Sequence, residues 1–370
     1  MGLINFIRTK NYTDSQIENI IGKKSGQWKS GNATAFSDLY ADMILPDAEK
    51  LDLNMVTIPV LVKADDIGDS EPYIDEHSWD LAKQAAIAVK SKGYKIIMEP
   101  FPMVANGSIG ETEWNPENMA TFFEYWGNAL KEIAAFCELR GLEGMYIASN
   151  LVHMENSFSE WSTLISDLKR IYKGNLIYRT NWWYQNAQLE EKLANNLFSL
   201  VDIIAIAAYF EVSDDPSPSK RVLKESLYNT TVWNRGQNIV SDIETLSKKW
   251  NKPIFLGELG IAPYDGAPAK PWSYHFDEDG YNENVQSNWF DAWFEVFKDF
   301  DWFLGYSIYN IADRHSTFDV IGRRAASHIR DQVYSGGGKL DDLERELNSM
   351  MNEISDIRRL LDELTSVGKP

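Results

Sequence analysis

The residues best placed to do chemistry lie at the end of one apolar run. Pro253-Ile-Phe-Leu-Gly-Glu-Leu-Gly260 reads as a strand that stops on a carboxylate, Glu258, and the loop after it carries Tyr264, Trp272 and Tyr274. A fixed anion walled by aromatic rings can stabilise an oxocarbenium-like transition state and then bond to the sugar. That is the work of the nucleophile in a retaining glycosidase. The competing reading is a strand-end Glu paired with an Arg. The 13 Trp, 17 Tyr and 17 Phe suit a large core and equally a groove that stacks sugars; those in the loops after the strands favour the groove.

Other chemistries find no support. The five His show no paired ligand spacing, and the single cysteine, Cys137, can build neither an intrachain disulfide nor a thiolate zinc site. No nucleophile elbow and no phosphate-binding Gly loop occurs. The acidic run Ala64-Asp-Asp-Ile-Gly-Asp-Ser-Glu-Pro72 lacks the ligand order of a calcium loop. No metal and no cofactor is therefore expected. A net charge of −19 over 370 residues argues against nucleic acid and anionic membrane surfaces, which select Lys and Arg clusters. No stretch approaches the roughly 20 apolar residues of a membrane span. The start, Met1 to Lys10, is too polar for a secretory signal, so cytosolic synthesis is expected.

These residues need a scaffold, and the chain predicts one. Short runs that are apolar throughout alternate with amphipathic stretches, the mark of a parallel sheet buried on both faces. Strands are expected at 54–62, 94–98, 144–149, 175–180, 202–209, 253–257 and 302–309. Helices are expected at 77–92, 116–140, 158–172, 187–197, 235–250, 284–299 and 320–334. Before Leu51, Leu3 to Arg8 offers a first strand and 36–51 a helix. Eight such units over 1–334 predict a (β/α)8 TIM barrel with its site at the C-terminal strand ends. A doubly wound open sheet is the rival, but the Gly-rich turn after its first strand is missing. The longer connections, 101–115, 210–234 and 259–283, follow strand ends and hold Trp114, Trp233, Tyr264, Trp272 and Tyr274.

Beyond a Gly linker at 335–338 the pattern changes. Leu340, Leu343, Leu347, Met350, Ile354, Ile357, Leu361 and Leu364 are spaced 3-4-3-4-3-4-3, a heptad seam that predicts a coiled coil over 339–367. Ile at both an a and a d position, with Met351 and Leu360 widening the apolar face, favours a homotrimer over a dimer. A trimer behind a flexible hinge would make the barrel multivalent.

Several of these segments resemble glycoside hydrolase family 113, the β-1,4-mannanase-type (β/α)8 barrels. The likeness rests on Gly257-Glu258-Leu-Gly260, on Asp265-Gly-Ala267 with Pro271-Trp272, and on Ile147-Ala-Ser-Asn-Leu151 followed by Glu160-Trp161 and Leu164-Ile165. It implies that Glu258 is the nucleophile. It also implies a general acid/base at the end of the fourth strand, a position that falls on Asn150. An amide supplies no titratable proton. Glu99, at the end of the third strand, is the best-placed substitute, with Glu155 and Glu211 behind it. Asn181, Trp182, Tyr209, Trp272, Tyr264 and Tyr306 are the expected saccharide contacts. The sequence therefore predicts a saccharide-binding, glycosidase-like barrel with impaired or absent hydrolysis, a pseudoenzyme presented by a coiled coil. That architecture suits a phage tail or baseplate receptor-binding protein. An active retaining hydrolase that uses Glu258 and a non-standard acid/base is the alternative.

Overall fold

The computed structural model describes residues 27–332. Eight parallel strands close on themselves: β1 (Trp28–Ala33), β2 (Met55–Ala64), β4 (Lys95–Val104), β5 (Gly144–Ser149), β6 (Asn175–Asn181), β7 (Ile203–Ala207), β8 (Ile254–Leu259) and β9 (Phe303–Ile311). The pairing of β1 with both β2 and β9 shuts the barrel. A two-residue strand, β3 (Tyr73–Ile74), pairs antiparallel with β2 beside the ring. The fold is a (β/α)8 barrel.

Its first strand is a correction. Leu3 to Arg8 lies outside the described residues, and Trp28–Ala33 fills the first position in the ring. The Gly linker at 335–338 and the heptad seam at 339–367 also lie outside them.

Local sequence explains most boundaries. The helix Met119–Arg140 starts later than the sequence predicts because the Asn118 side chain accepts from the Thr121 N–H, and it stops at Gly141 in the left-handed region. Asn238 caps Ile239–Trp250 in the same way and so shortens the expected helix 235–250. The expected helix 187–197 splits into Asn186–Ala194 and Leu197–Leu200. The helix Lys220–Tyr228 lies inside what reads as a long loop; its mean hydropathy is low, and Ser219 caps it. The last helix is shorter than expected, Arg324–Arg330.

The barrel interior is filled at its lower end by Trp28, Met55, Ile97, Tyr146, Ile177, Ile203, Ala205 and Phe255. Above this apolar plug the inward side chains turn polar, and the site begins there.

Candidate active site

Alternation along a strand places Ile177 and Arg179 of β6 on the same inward face. Arg179 is therefore a cation inside the barrel, lying over the Tyr146 ring with its guanidinium carbon 5.0 Å from the ring centre. Its Nε donates to Ser149 Oγ at 2.8 Å. One terminal nitrogen, Nη2, meets two carboxylates: Glu258 Oε1 at 2.6 Å and Glu99 Oε1. Burial disfavours the guanidinium charge, but Glu258 and Glu99 outweigh it and hold Arg179 protonated.

Glu258 reaches this point through a bulge. Phe255 pairs with Ala205, whereas Glu258 pairs with Ala207, so β8 carries one more residue than β7 between them. The extra residue turns Glu258 to the inward face that alternation alone would deny it. Gly257 is required at the bulge. A Cβ there would lie 2.7 Å from the Tyr146 hydroxyl and 2.9 Å from Arg179 Cδ. The Gly257 carbonyl accepts from Asn32 Nδ2 at 2.9 Å, and Ser307 Oγ donates to Asn32 Oδ1 at 2.9 Å, so β1 and β9 brace the bulge.

Glu258 is 8% exposed and opens onto a crevice with Glu99, Phe36, Phe101, Tyr309 and Asn310. Burial pushes its pKa up to about 7; Arg179 opposes the rise, Glu99 and Glu111 add to it, and a hydrogen bond with Tyr209 lowers it. Burial also raises Glu99, against the pull of Arg179. The mouth thus holds two carboxylates around one cation.

Asn150 sits just beyond β5 with φ +53°, a left-handed conformation that Asn tolerates. Its backbone N–H donates to the Arg179 carbonyl at 2.9 Å. Its Nδ2 donates to Glu111 Oε1 at 2.9 Å. Glu111 lies in the loop after β4, and no local pattern in the sequence marks it. Three buried polar atoms around the mouth have no hydrogen-bond partner among the described residues: Asn150 Oδ1, Arg179 Nη1 and Asn310 Oδ1. A polar ligand would satisfy them.

The expected saccharide contacts divide. Tyr209 hydrogen-bonds Glu258 and packs edge-on against Trp182, Tyr309 and Phe318. Trp182 and Trp272 line a groove of about 1010 Å³ with Tyr184, Trp233 and the ion pair Glu211–Arg235. Asn181 is half-buried at the end of β6 and accepts from the Trp182 N–H at 3.1 Å. Two residues are corrections. Tyr306 is buried behind the strand, against Phe294, with its hydroxyl on Gln332. Tyr264 stacks on Phe276 at 5.3 Å and braces its own loop. Trp114 is likewise core, its indole donating to the Asp69 carbonyl at 2.9 Å.

The candidate substitutes for an acid at position 150 also separate. Glu155 accepts from Tyr178 and Thr180, both at 2.9 Å, and faces Lys192 in a buried network. Glu211 is tied to Arg235. Glu99 stays at the mouth but shares the Arg179 cation.

A buried carboxylate pair at the C-terminal mouth of a (β/α)8 barrel, next to an aromatic groove, defines the class: a glycoside-hydrolase barrel. Within that class, the profile of Glycoside Hydrolase Family 113 matches residues 24–320, and the chain belongs to this family. A search of curated proteins returns no match. Among solved structures, a GH113 β-mannanase from Alicyclobacillus acidocaldarius in complex with ManMIm superposes with a TM-score of 0.67 at 16% identity, covering 83% of this chain and 97% of that one. A GH113 β-1,4-mannanase complex gives 0.66 at 16% identity over 82% and 97%. A β-D-glucuronidase for Dictyoglomus thermophilum shares the fold at 0.54 and 14% identity, over 83% of this chain and 50% of that one.

Proposed function

We propose that this barrel binds a β-linked oligosaccharide of the mannan class across its mouth, and that Glu258 is the nucleophile that bonds to the anomeric carbon. The observation that carries the reading is the Glu258 carboxylate itself. It is fixed by a bulge that leaves it facing a crevice, gripped by Arg179 and hydrogen-bonded with Tyr209. The pairing with Arg179 does not make it merely structural, because Arg179 already has Glu99 as a partner. The substrate class follows the GH113 relatives, two of which are β-mannanases.

Position 150 holds an amide, so the proton for an ordinary leaving group does not come from there. An activated aryl β-mannoside needs no such proton. The wild-type protein is expected to turn it over, and Glu258→Ala to abolish the turnover. A protein that binds manno-oligosaccharide yet leaves the aryl glycoside intact would overturn the nucleophile role.

The amide at position 150 favours a second reading, in which the barrel grips saccharide without cleaving it. Multivalent presentation by the heptad segment 339–367, as on a phage tail or baseplate, belongs with that reading. Light scattering tests the multivalence: an oligomer that becomes monomeric when the chain is cut at Gly336 supports it, and a monomeric full-length chain refutes it.

A further inference from the structure

We propose that Glu111 is the general acid/base of this barrel, carried on the loop after β4 and held at the mouth by the Asn150 amide. The inference rests on the reading of Glu258 as nucleophile and names the group that works with it.

A proton donor that must reload in the second step needs a carboxyl group near Glu258, open to solvent and free of a permanent cation. Glu99 fails, because it is 3% exposed and bound to Arg179. Glu155 and Glu211 fail because each has a fixed basic partner, Lys192 and Arg235. Glu111 meets the requirement. It is half-buried, and among the described residues no cation lies within ion-pair distance of it. Its hydrogen-bond donor, Asn150 Nδ2 at 2.9 Å, is neutral, so the carboxyl can lose and regain a proton without breaking an ion pair.

The loop holds Glu111 in place. Val104 bridges to Ile109 just before it. Trp114, just after it, is fully buried, and the Asn115 N–H donates to the Ile67 carbonyl at 2.8 Å. The hydrogen bond to Asn150 fixes it at the end of β5, near enough for its charge to reach Glu258, Glu99, Tyr274 and Tyr309. Asn150 is then a positioning residue: the strand end presents an amide that holds a carboxylate delivered from the neighbouring loop.

The steps balance. In the first, an oxygen of Glu258 bonds to the anomeric carbon as the bond to the leaving oxygen breaks, and the Glu111 proton passes to that oxygen. In the second, a water oxygen bonds to the anomeric carbon, its proton passes to Glu111, and Glu258 departs as a carboxylate. One glycosidic bond and one water are consumed.

The test compares wild type, Glu111→Gln and Glu111→Ala on a manno-oligosaccharide and on a dinitrophenyl β-mannoside. On the oligosaccharide the variants are expected to lose roughly 10²–10⁴-fold in rate. The first step on the dinitrophenyl substrate should fall far less, and azide should accelerate turnover of that substrate by Glu111→Ala. Asn150→Ala should steepen the dependence of rate on leaving group in the same sense, which loss of folded protein alone would not do. Equal losses on both substrates, or no loss, would overturn the role of Glu111 and leave Glu258 standing. A wild type that binds but never cleaves the dinitrophenyl glycoside would overturn both.

Discussion

Replacing Glu258 with Gln should stabilise the protein increasingly as pH rises from about 4.5 to about 7, and by a constant amount above that. The folded carboxyl holds its proton up to about pH 7, against an ordinary value of 4.5. Between those two values the folded chain binds more protons than the unfolded chain, so stability falls as pH rises through the window and levels off above it. At 1.36 kcal/mol for each pH unit, the ionised Glu258 removes about 3 kcal/mol of folding stability by pH 8.5. The neutral Gln has no such loss, and Arg179 keeps Glu99 as its partner in the variant. Thermal unfolding at pH 4.5 should therefore find the two proteins close together. At pH 8.5 the variant should unfold higher, by about 5 °C for a domain of this size. An offset that is the same at both pH values would refute the argument. A variant that is less stable at pH 8.5 would show that Arg179 attracts the carboxylate more strongly than burial opposes it.

Two further substitutions test the scaffold and the groove. Gly257→Ala should cost about 1–3 kcal/mol in denaturant unfolding, because its Cβ would press on Tyr146 and Arg179; a neutral result would mean that the bulge has room. Trp233 is 80% exposed at the groove rim with φ +55°, a strained position for a bulky residue and one that favours a role in binding. Trp233→Ala should leave the unfolding midpoint unchanged or higher, while calorimetry with manno-oligosaccharide shows a loss of about 1–2 kcal/mol in affinity. Unchanged affinity would remove the groove from the binding site.

The barrel was legible wherever a strand is apolar on both faces. Met55–Ala64, Gly144–Ser149 and Ile203–Ala207 announce themselves, and Glu258 stands out because it ends such a run. The first strand did not, because Trp28–Ala33 turns Ser30 and Asn32 inward, where they bond to Thr57 and Gly257. A strand whose inner face is polar carries the composition of a loop. Arg179 left a clue that is plain once the fold is known: a charge inside the buried run Leu176-Ile-Tyr-Arg-Thr180 needs a buried counter-ion. Glu99 and Glu258, which supply it, are distant in sequence, so only closure of the ring joins them. Glu111 had no signal, since its place depends on the path of one loop. Tyr306 and Tyr264 were misplaced for a related reason. An aromatic residue at a strand end or in a loop does not declare whether it faces the mouth or its own supports.

The guanidinium between Glu99 and Glu258 has a pharmacological consequence. Basic sugar mimics, whose ring nitrogen carries a positive charge, gain affinity by pairing with the nucleophile carboxylate. At Glu258 they would have to compete with Arg179, a cation that the protein already provides. Uncharged mimics that are planar at the anomeric carbon meet no such competitor at Glu258, so a positive charge placed there should add less affinity than at a carboxylate without a cation partner.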